Sequence, residues 1–344
     1  MTALALRRPI SLFALAALLS IVGGLCIGAF PVGFAELLSA IGLSDRPLDD
    51  TTAAVLYAIR APRVIAAFTV GAALAAGGAA MQSLFRNALA DPGLLGVSSG
   101  AALAAVSVIV LGEKVMHIVP PALKPWLLPI AAFLGGLLAT IVVYRLAARG
   151  GVTLVGTLLL AGIAINALAS AGIGMLVFIA DEQQLRTLIF WTMGGFGAVT
   201  WAAILPALLV LAITIPTLLP AAHLLDALAL GEREAGHVGV DVERLKRRLV
   251  AQVALAVGAG VAISGTVGFV GLIAPHIVRL LLGPAHRTLL PAAALFGGAF
   301  LVLADALART IVSPAELPIG VLTALVGGPF FLWLLAGRAA REGL

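Results

Sequence analysis

The chain has 344 residues, of which 62% are hydrophobic and only 11% charged, against roughly 45–50% apolar and 25% charged in an ordinary soluble domain. With a mean hydropathy of +1.15, this excludes a soluble globular protein and predicts an all-α polytopic membrane protein, because the apolar runs are solid rather than alternating as barrel strands are. The net charge of +5 comes without a basic groove interleaved with aromatics, which excludes nucleic acid as a partner, and the single cysteine, Cys26, excludes a disulfide or thiolate metal site within the chain.

In chain order the apolar runs predict ten spans, at 9–30, 62–84, 96–112, 126–147, 153–179, 200–219, 249–267, a short one at 271–282, 289–308 and 317–337. The first comes after Arg7 and Arg8 and mimics a secretory signal. It is too long for a signal core and no small-x-small site closes it, so it reads as an uncleaved span. An even number of spans puts both termini on one side. With that side cytoplasmic, fourteen of the 21 Lys and Arg lie inside, and Arg46, Arg60, Arg63, Lys114, Lys124, Arg186 and Arg309 lie outside, a bias of the expected sign. Small residues at helical spacing, Gly71 with Ala75 and Ala79, and Ala164 with Ala167 and Ala171, suit close contact between helices.

Three breaks between spans carry polar chemistry. FRNALADPGLLGVSSG, Phe85 to Gly100, ends one segment at Asp91-Pro92, because Pro92 disfavours a helical residue before it; Gly93 and Gly96 permit a reversal, and Ser98 and Ser99 can cap the next helix. Residues 180–199 predict a short helix at the mouth of the bundle, with Arg186 as its one cation. Gly231 to Arg248, GEREAGHVGVDVERLKRR, places Glu232 and Glu234 in the first turn of a short helix, and Gly236 and Gly239 allow a turn into a second, basic helix. That segment is either a solvated loop with ordinary positive-inside charge or a projection for a motor subunit to grip.

Two absences bear on the choice. No G-x-x-x-x-G-K-[ST] occurs, and apart from Asp305 the acidic residues fall outside the spans, so the chain has neither a nucleotide cradle of that kind nor the midplane carboxylates that ion coupling usually requires. Energy is expected to arrive from another subunit. Asn166, an amide in the fifth span, faces either a pathway or a neighbouring helix.

Four segments resemble one family: IRAPRVIAAFTVGAALAAGGAAMQSLFRNALADPGLLGVSSGAAL, GEREAGHVGVDVERLKRR, ISGTVGFVGLIAPHIVRLLLGPAHR and PAELPIGVLTALVGGPFFLWLL, spread from residue 59 to 335. They are similar to the FecCD-type permeases, the membrane subunits of type II ABC importers that take up haem, iron-siderophores and vitamin B12. The resemblance implies a single permease domain over 1–344 with ten helices. It also implies a homodimer in the bacterial inner membrane, two ATP-binding subunits below and a periplasmic binding protein above. Both termini are then cytoplasmic, lipid is the surrounding partner, no cofactor or metal is resident, and ATP is bound by the partner subunits.

By the same resemblance, Arg60, Arg63 and Arg309 receive acidic residues of the binding protein; the alternative is that Arg309 pairs with Asp305 and the other two snorkel. Gly231, Glu232, Ala235 and Gly239 match a coupling helix seated on the ATPase, with the small residues letting the surfaces approach. Asp91 and Pro92 match a break near the inner gate, where Ala88 stands in place of the family's usual proline. The run LRTLIFW at 185–191 looks most like the haem-uptake members, although Gly195-Phe196 replaces their usual Gly-Ser-Leu ending. Haem is therefore the expected cargo, with ferric siderophore or cobalamin as alternatives and an ion-coupled secondary transporter as the reading of another class. Arg186 is expected to attract propionates while Phe190, Trp191 and Met193 offer a flat apolar surface; the alternative is an interfacial aromatic belt. The histidines argue weakly for iron: His276 and His286 lie in motifs shared across substrates, His237 lies in the coupling segment, and His117 and His223 lie at loop ends.

Overall fold

The computed structural model describes residues 3–45, 47–112 and 119–342; Arg46, Lys114 and His117 lie outside the described residues. Helix α1 (Ala3–Cys26) is followed by the short α2 (Phe34–Ala40) and by α3 (Asp50–Ala54), which runs through a π turn at Val55–Arg60 into α4 (Ala61–Leu84). Asp49 caps α3, accepting from the Thr52 hydroxyl at 2.6 Å and its amide at 2.9 Å, which holds that carboxyl below its ordinary range. Then come α5 (Val97–Leu111), α6 (Lys124–Ala147), α7 (Val155–Ile179), α8 (Glu182–Met193), α9 (Trp201–Leu218), α10 (Ala222–Leu230), α11 (Glu232–His237), α12 (Val242–Ser264), α13 (Val270–Leu282), α14 (His286–Ala308) and α15 (Ile319–Glu342).

Each expected span coincides with a helix. Six of these helical stretches are long and apolar enough to cross a membrane, whereas Ile10–Cys26, Val97–Leu111, Val270–Leu282 and Ile319–Leu334 are shorter apolar stretches. The seventh span differs most from expectation. The basic helix and the apolar run after it form one helix, α12, because Asp241 caps it by accepting from the Arg244 amide at 3.0 Å and no breaker comes after Arg248. The all-helical reading also missed a two-residue hairpin between α6 and α7, in which Ala148 pairs with Thr153 and Arg149 with Val152 around Gly150 and Gly151, at φ of 60° and 81°.

Helix α4 is the axis of the fold. It packs on α14 through Gly71 and Gly297, where a Cβ on Gly71 would lie 2.3 Å from the Gly297 carbonyl, and on α13 through Gly78, whose Cβ would lie 1.9 Å from the Gly271 carbonyl. Backbones touch at both crossings, and this close approach replaces the hydrophobic driving force that lipid removes. Ala75 and Ala79 are fully buried, as their spacing predicts. The second stripe differs: Ala164, Ala167 and Ala171 are exposed, because α7 lies at the periphery and packs only part of its surface inside the subunit.

The break after α4 starts at exposed Arg86 and Asn87 and then enters the bundle. Pro92–Leu95 forms a 3-10 turn so close to α7 that a Cβ on Gly162 would lie 1.8 Å from the Leu94 carbonyl; on its other side, a Cβ on Gly271 would meet Pro92 Cδ at 3.1 Å and Asp91 Oδ2 at 3.2 Å. Its backbone is satisfied by the protein. Asp91 Oδ1 accepts from the Gly93 amide at 2.8 Å and Asn166 Nδ2 donates to the Gly93 carbonyl at 3.3 Å, which is what permits irregular backbone at such depth. Helix α5 starts from this embedded turn and therefore has only 15 residues, about 22 Å at 1.5 Å per residue.

Candidate functional site

At the end of the bundle where α4 begins and α14 ends, four charged side chains from three elements meet. Arg63 Nε lies 2.9 and 3.0 Å from the two Asp305 oxygens, its Nη2 donates to Asp305 at 2.9 Å, and Nη1 and Nη2 reach the Glu316 oxygens at 2.8 and 3.0 Å. Arg309 Nε lies 3.5 Å from Asp305 one turn away, and Arg309 Nη2 donates to the Gly24 carbonyl at 2.7 Å. Arg60 donates to the carbonyls of Leu25 at 2.7 Å and Cys26 at 2.9 Å, and to that of Phe30.

The three arginines are 3%, 6% and 7% exposed at Arg60, Arg63 and Arg309. Arg60 and Arg63 direct their donors to this chain's own acceptors, whereas Arg309 gives Nη2 to Gly24 and its buried Nε reaches only the 3.5 Å ion pair with Asp305. Burial favours this pairing, since a guanidinium taken out of water is costly without acceptors or a counter-ion. Two of them converge on Asp305, so the pairing with Arg309 expected as the alternative is half of a larger network. Glu316, just before α15, was missed by the sequence reading; nothing local marks a lone acid in PAELP as the partner of a residue 253 positions away.

Beside this network lies the mouth helix. Asp181 and Gln184 form a reciprocal capping box at the start of α8, with Asp181 Oδ1 accepting from the Gln184 amide at 2.8 Å. Its other end is stitched to two breaks: the Gly195 amide donates to Ser264 O at 2.8 Å and the Ile319 amide to Gly194 O at 2.9 Å. Gly194 and Gly265 are required here. Both have positive φ, at 72° and 67°, and a Cβ on Gly265 would lie 2.1 Å from the Trp191 carbonyl. Phe196, the departure noted in the sequence, is 1% exposed and anchors the turn in the core.

A cavity of about 620 Å³ opens between α8, the α12–α13 break and the start of α15, lined by Arg186, Phe190, Trp191 and Glu316 among others. The structure thus brings Arg186 and Phe190 onto one surface. Met193, at the last position of α8, is exposed but does not line the cavity.

At the opposite end, Gly231 takes φ of 136° and opens α11; Arg233, Glu234, His237 and Gly239 are exposed. Ala235 is 0% exposed. It packs inward on its own chain, so it is not part of the outward contact surface that the resemblance assigns to it; a six-residue helix has to bury one face to stay seated. Glu232 stays exposed while accepting from Lys246 Nζ at 2.7 Å. Asn166 joins helices rather than standing alone in a pathway, accepting from Ser99 Oγ at 2.5 Å as well as donating to Gly93. His286 is held between Asp226, at 2.6 Å from Nδ1, and Ser83, and His276 packs edge-on against Phe330.

The arrangement offers a shaped mouth, an embedded turn and a projecting helix, which suits conduction under outside control. Comparison with known proteins agrees. The FecCD transport family matches residues 14–337. The hemin transport system permease protein HmuU of Yersinia pestis is 46% identical over 312 residues, covering 89% of this chain and 92% of its own. The cobalamin import system permease protein BtuC of Halobacterium salinarum is 44% identical over 292 residues, covering 85% and 76%. A solved metal-chelate type ABC transporter in an inward-facing conformation superposes with a TM-score of 0.83 at 31% identity, covering 96% of this chain and 99% of that one. With most of its length accounted for by one family, by sequence and by fold alike, the chain belongs to the FecCD transport family and is a permease of the ABC importers.

Proposed function

We propose that this permease carries haem across the bacterial inner membrane, receiving it from a periplasmic binding protein at the end that bears the arginine network and α8. The observation that carries the reading is the juxtaposition of Arg186 with Phe190 and Trp191 on one cavity: a cation beside a flat apolar surface suits a planar macrocycle with carboxylate tails. Glu316 on the same wall is matched by the two-pronged contact from Arg63, which leaves Arg186 to set the charge there. Similarity to HmuU supports haem and similarity to BtuC, nearly as high, supports cobalamin as the second reading.

Transport is by alternating access, driven from outside the chain. Two ATP-binding subunits engage the segment 231–248 through the exposed face of α11, and the second copy of the chain packs on the peripheral α7, whose Ala164, Ala167 and Ala171 form an exposed small-residue stripe. Arg60, Arg63 and Arg309 act from beneath the docking rim, fixing the shape that the binding protein meets. Asp91 and Pro92 shape the inner part of the path. Against ion coupling stands Asp305 of α14, which is locked between two arginines.

The test is ATPase stimulation of the reconstituted complex by its binding protein loaded in turn with haem, a ferric siderophore and cobalamin. Haem alone stimulating supports the first reading; cobalamin alone supports the second. Uphill uptake by the isolated permease on an ion gradient overturns both.

A further inference from the structure

Lys246 is the lysine of α12 that faces inward: it is 1% exposed, and its ammonium has three acceptors in reach. Nζ donates to Glu232 Oε2 at 2.7 Å, to Thr153 O at 2.8 Å and to Glu243 Oε1 at 2.9 Å, which uses every proton the group has. Glu243 closes the arrangement, because its Oε2 accepts from the Thr153 amide at 2.8 Å. Both backbone polar groups of Thr153 are therefore held by one ion pair on α12, and the same ammonium holds the first residue of α11.

We propose that Lys246 is a positioning residue that clamps the 148–153 hairpin to α11, so that a displacement of α11 is delivered to the foot of α7. The proposal rests on the reading of 231–248 as the segment a motor subunit grips. Three features argue for a mechanical role over a merely stabilising one. A buried ammonium with two carboxylates is a poor source of net stability compared with an apolar side chain of the same size, but it fixes geometry in three directions. The clamped residue lies two positions before α7 begins at Val155, so no slack separates it from that helix. And α7 is the long helix with the least surface packed inside the subunit, so few contacts within its own chain oppose a shift of it relative to the other helices. Through Asn166 it bonds Ser99 and Gly93, so motion at its foot reaches the embedded turn by contiguous contacts.

The experiment uses the whole transporter in liposomes; distances are read with Cys26 replaced by Ser and spin labels on cysteines introduced at the exposed positions 149 and 238, and the ATP hydrolysed per substrate is measured on the unlabelled protein. With Lys246 in place, the label-to-label distance distribution is expected to be narrow both without nucleotide and with ATP. Lys246→Met is expected to broaden it and to raise the ATP hydrolysed per substrate carried about tenfold. Glu232→Gln removes only the limb to α11, and because that carboxylate is 42% exposed it leaves the fold intact; it is expected to raise the ratio about threefold. If Lys246→Met does not fold, the doubly neutral Lys246→Met/Glu243→Gln takes its place. A distribution that stays narrow without Lys246 overturns the clamp. Broadening with an unchanged ratio overturns the reading of 231–248 as the driven segment, and with it the transmitting role.

Discussion

Arg63 and Asp305, 242 positions apart in sequence, form a forked pair in which Nε and Nη2 both lie 2.9 Å from Oδ1. The pair joins α4 to α14 at the end where their Gly71–Gly297 crossing no longer holds them, and it is almost dry, with side chains 7% and 1% exposed.

Removing the carboxylate leaves two buried guanidiniums without their shared counter-ion. Asp305→Ala is expected to destabilise the permease by about 3–5 kcal/mol, the cost typical of orphaning a buried charge. Glu316→Gln is expected to cost about 1 kcal/mol or less, because an ion-pair partner that is half in water contributes little; its side chain is 45% exposed. Thermal unfolding in detergent checks both, and equal losses would show that the two carboxylates share the load evenly.

Ala235 and Arg233 sit two residues apart on α11 and face opposite ways. Ala235→Glu is expected to drive a charge into the protein and abolish a monodisperse, folded preparation. Arg233→Glu, on the exposed face, is expected to leave folding intact while lowering transport per ATP several-fold. Size-exclusion profiles and coupled ATPase–transport assays separate the two outcomes; a well-folded Ala235→Glu variant would place that side chain outward.

Two glycines of α7 make a matched comparison. Gly162→Ala puts a Cβ where the Leu94 carbonyl stands, 1.8 Å away, and the embedded turn must move; overpacking of this kind costs about 1–3 kcal/mol. Gly174 has nothing of its own subunit within 4 Å of its Cβ position, so Gly174→Ala is expected to leave the fold of the isolated subunit unstrained, neutral or gaining up to about 1 kcal/mol through helix propensity. Unfolding midpoints of the two variants, with uptake measured in parallel, decide whether the turn is seated as described.

Asn166→Leu keeps the size of the side chain and removes its bonds to Ser99 and Gly93. An interhelical hydrogen bond of this kind is worth about 0.6 kcal/mol on average and up to ~1.7, so the loss of stability is expected to be small while hydrogen exchange at the amides of 93–96 rises. Unchanged protection there would mean that the turn holds without Asn166.

The class of protein and the places of its apolar spans were legible along the chain, whereas the short helices α2, α3 and α10 were not. Lipid demands long apolar runs and self-satisfied backbone, and both are local properties; so is the stop at Asp91-Pro92, where the residue type dictates the backbone. The family, too, was carried by motifs of contiguous residues. The partner of each polar group emerged only in three dimensions: Arg63 binds Asp305 and Glu316, Lys246 reaches Thr153 across 93 positions, Ala235 faces inward, and the Pro92–Leu95 turn is seated between helices. Those outcomes depend on how close two helices come and at what depth, which is set at Gly71, Gly78 and Gly162 by the absence of a side chain. A glycine in the sequence shows only that an approach is possible; its partner has to be found in space.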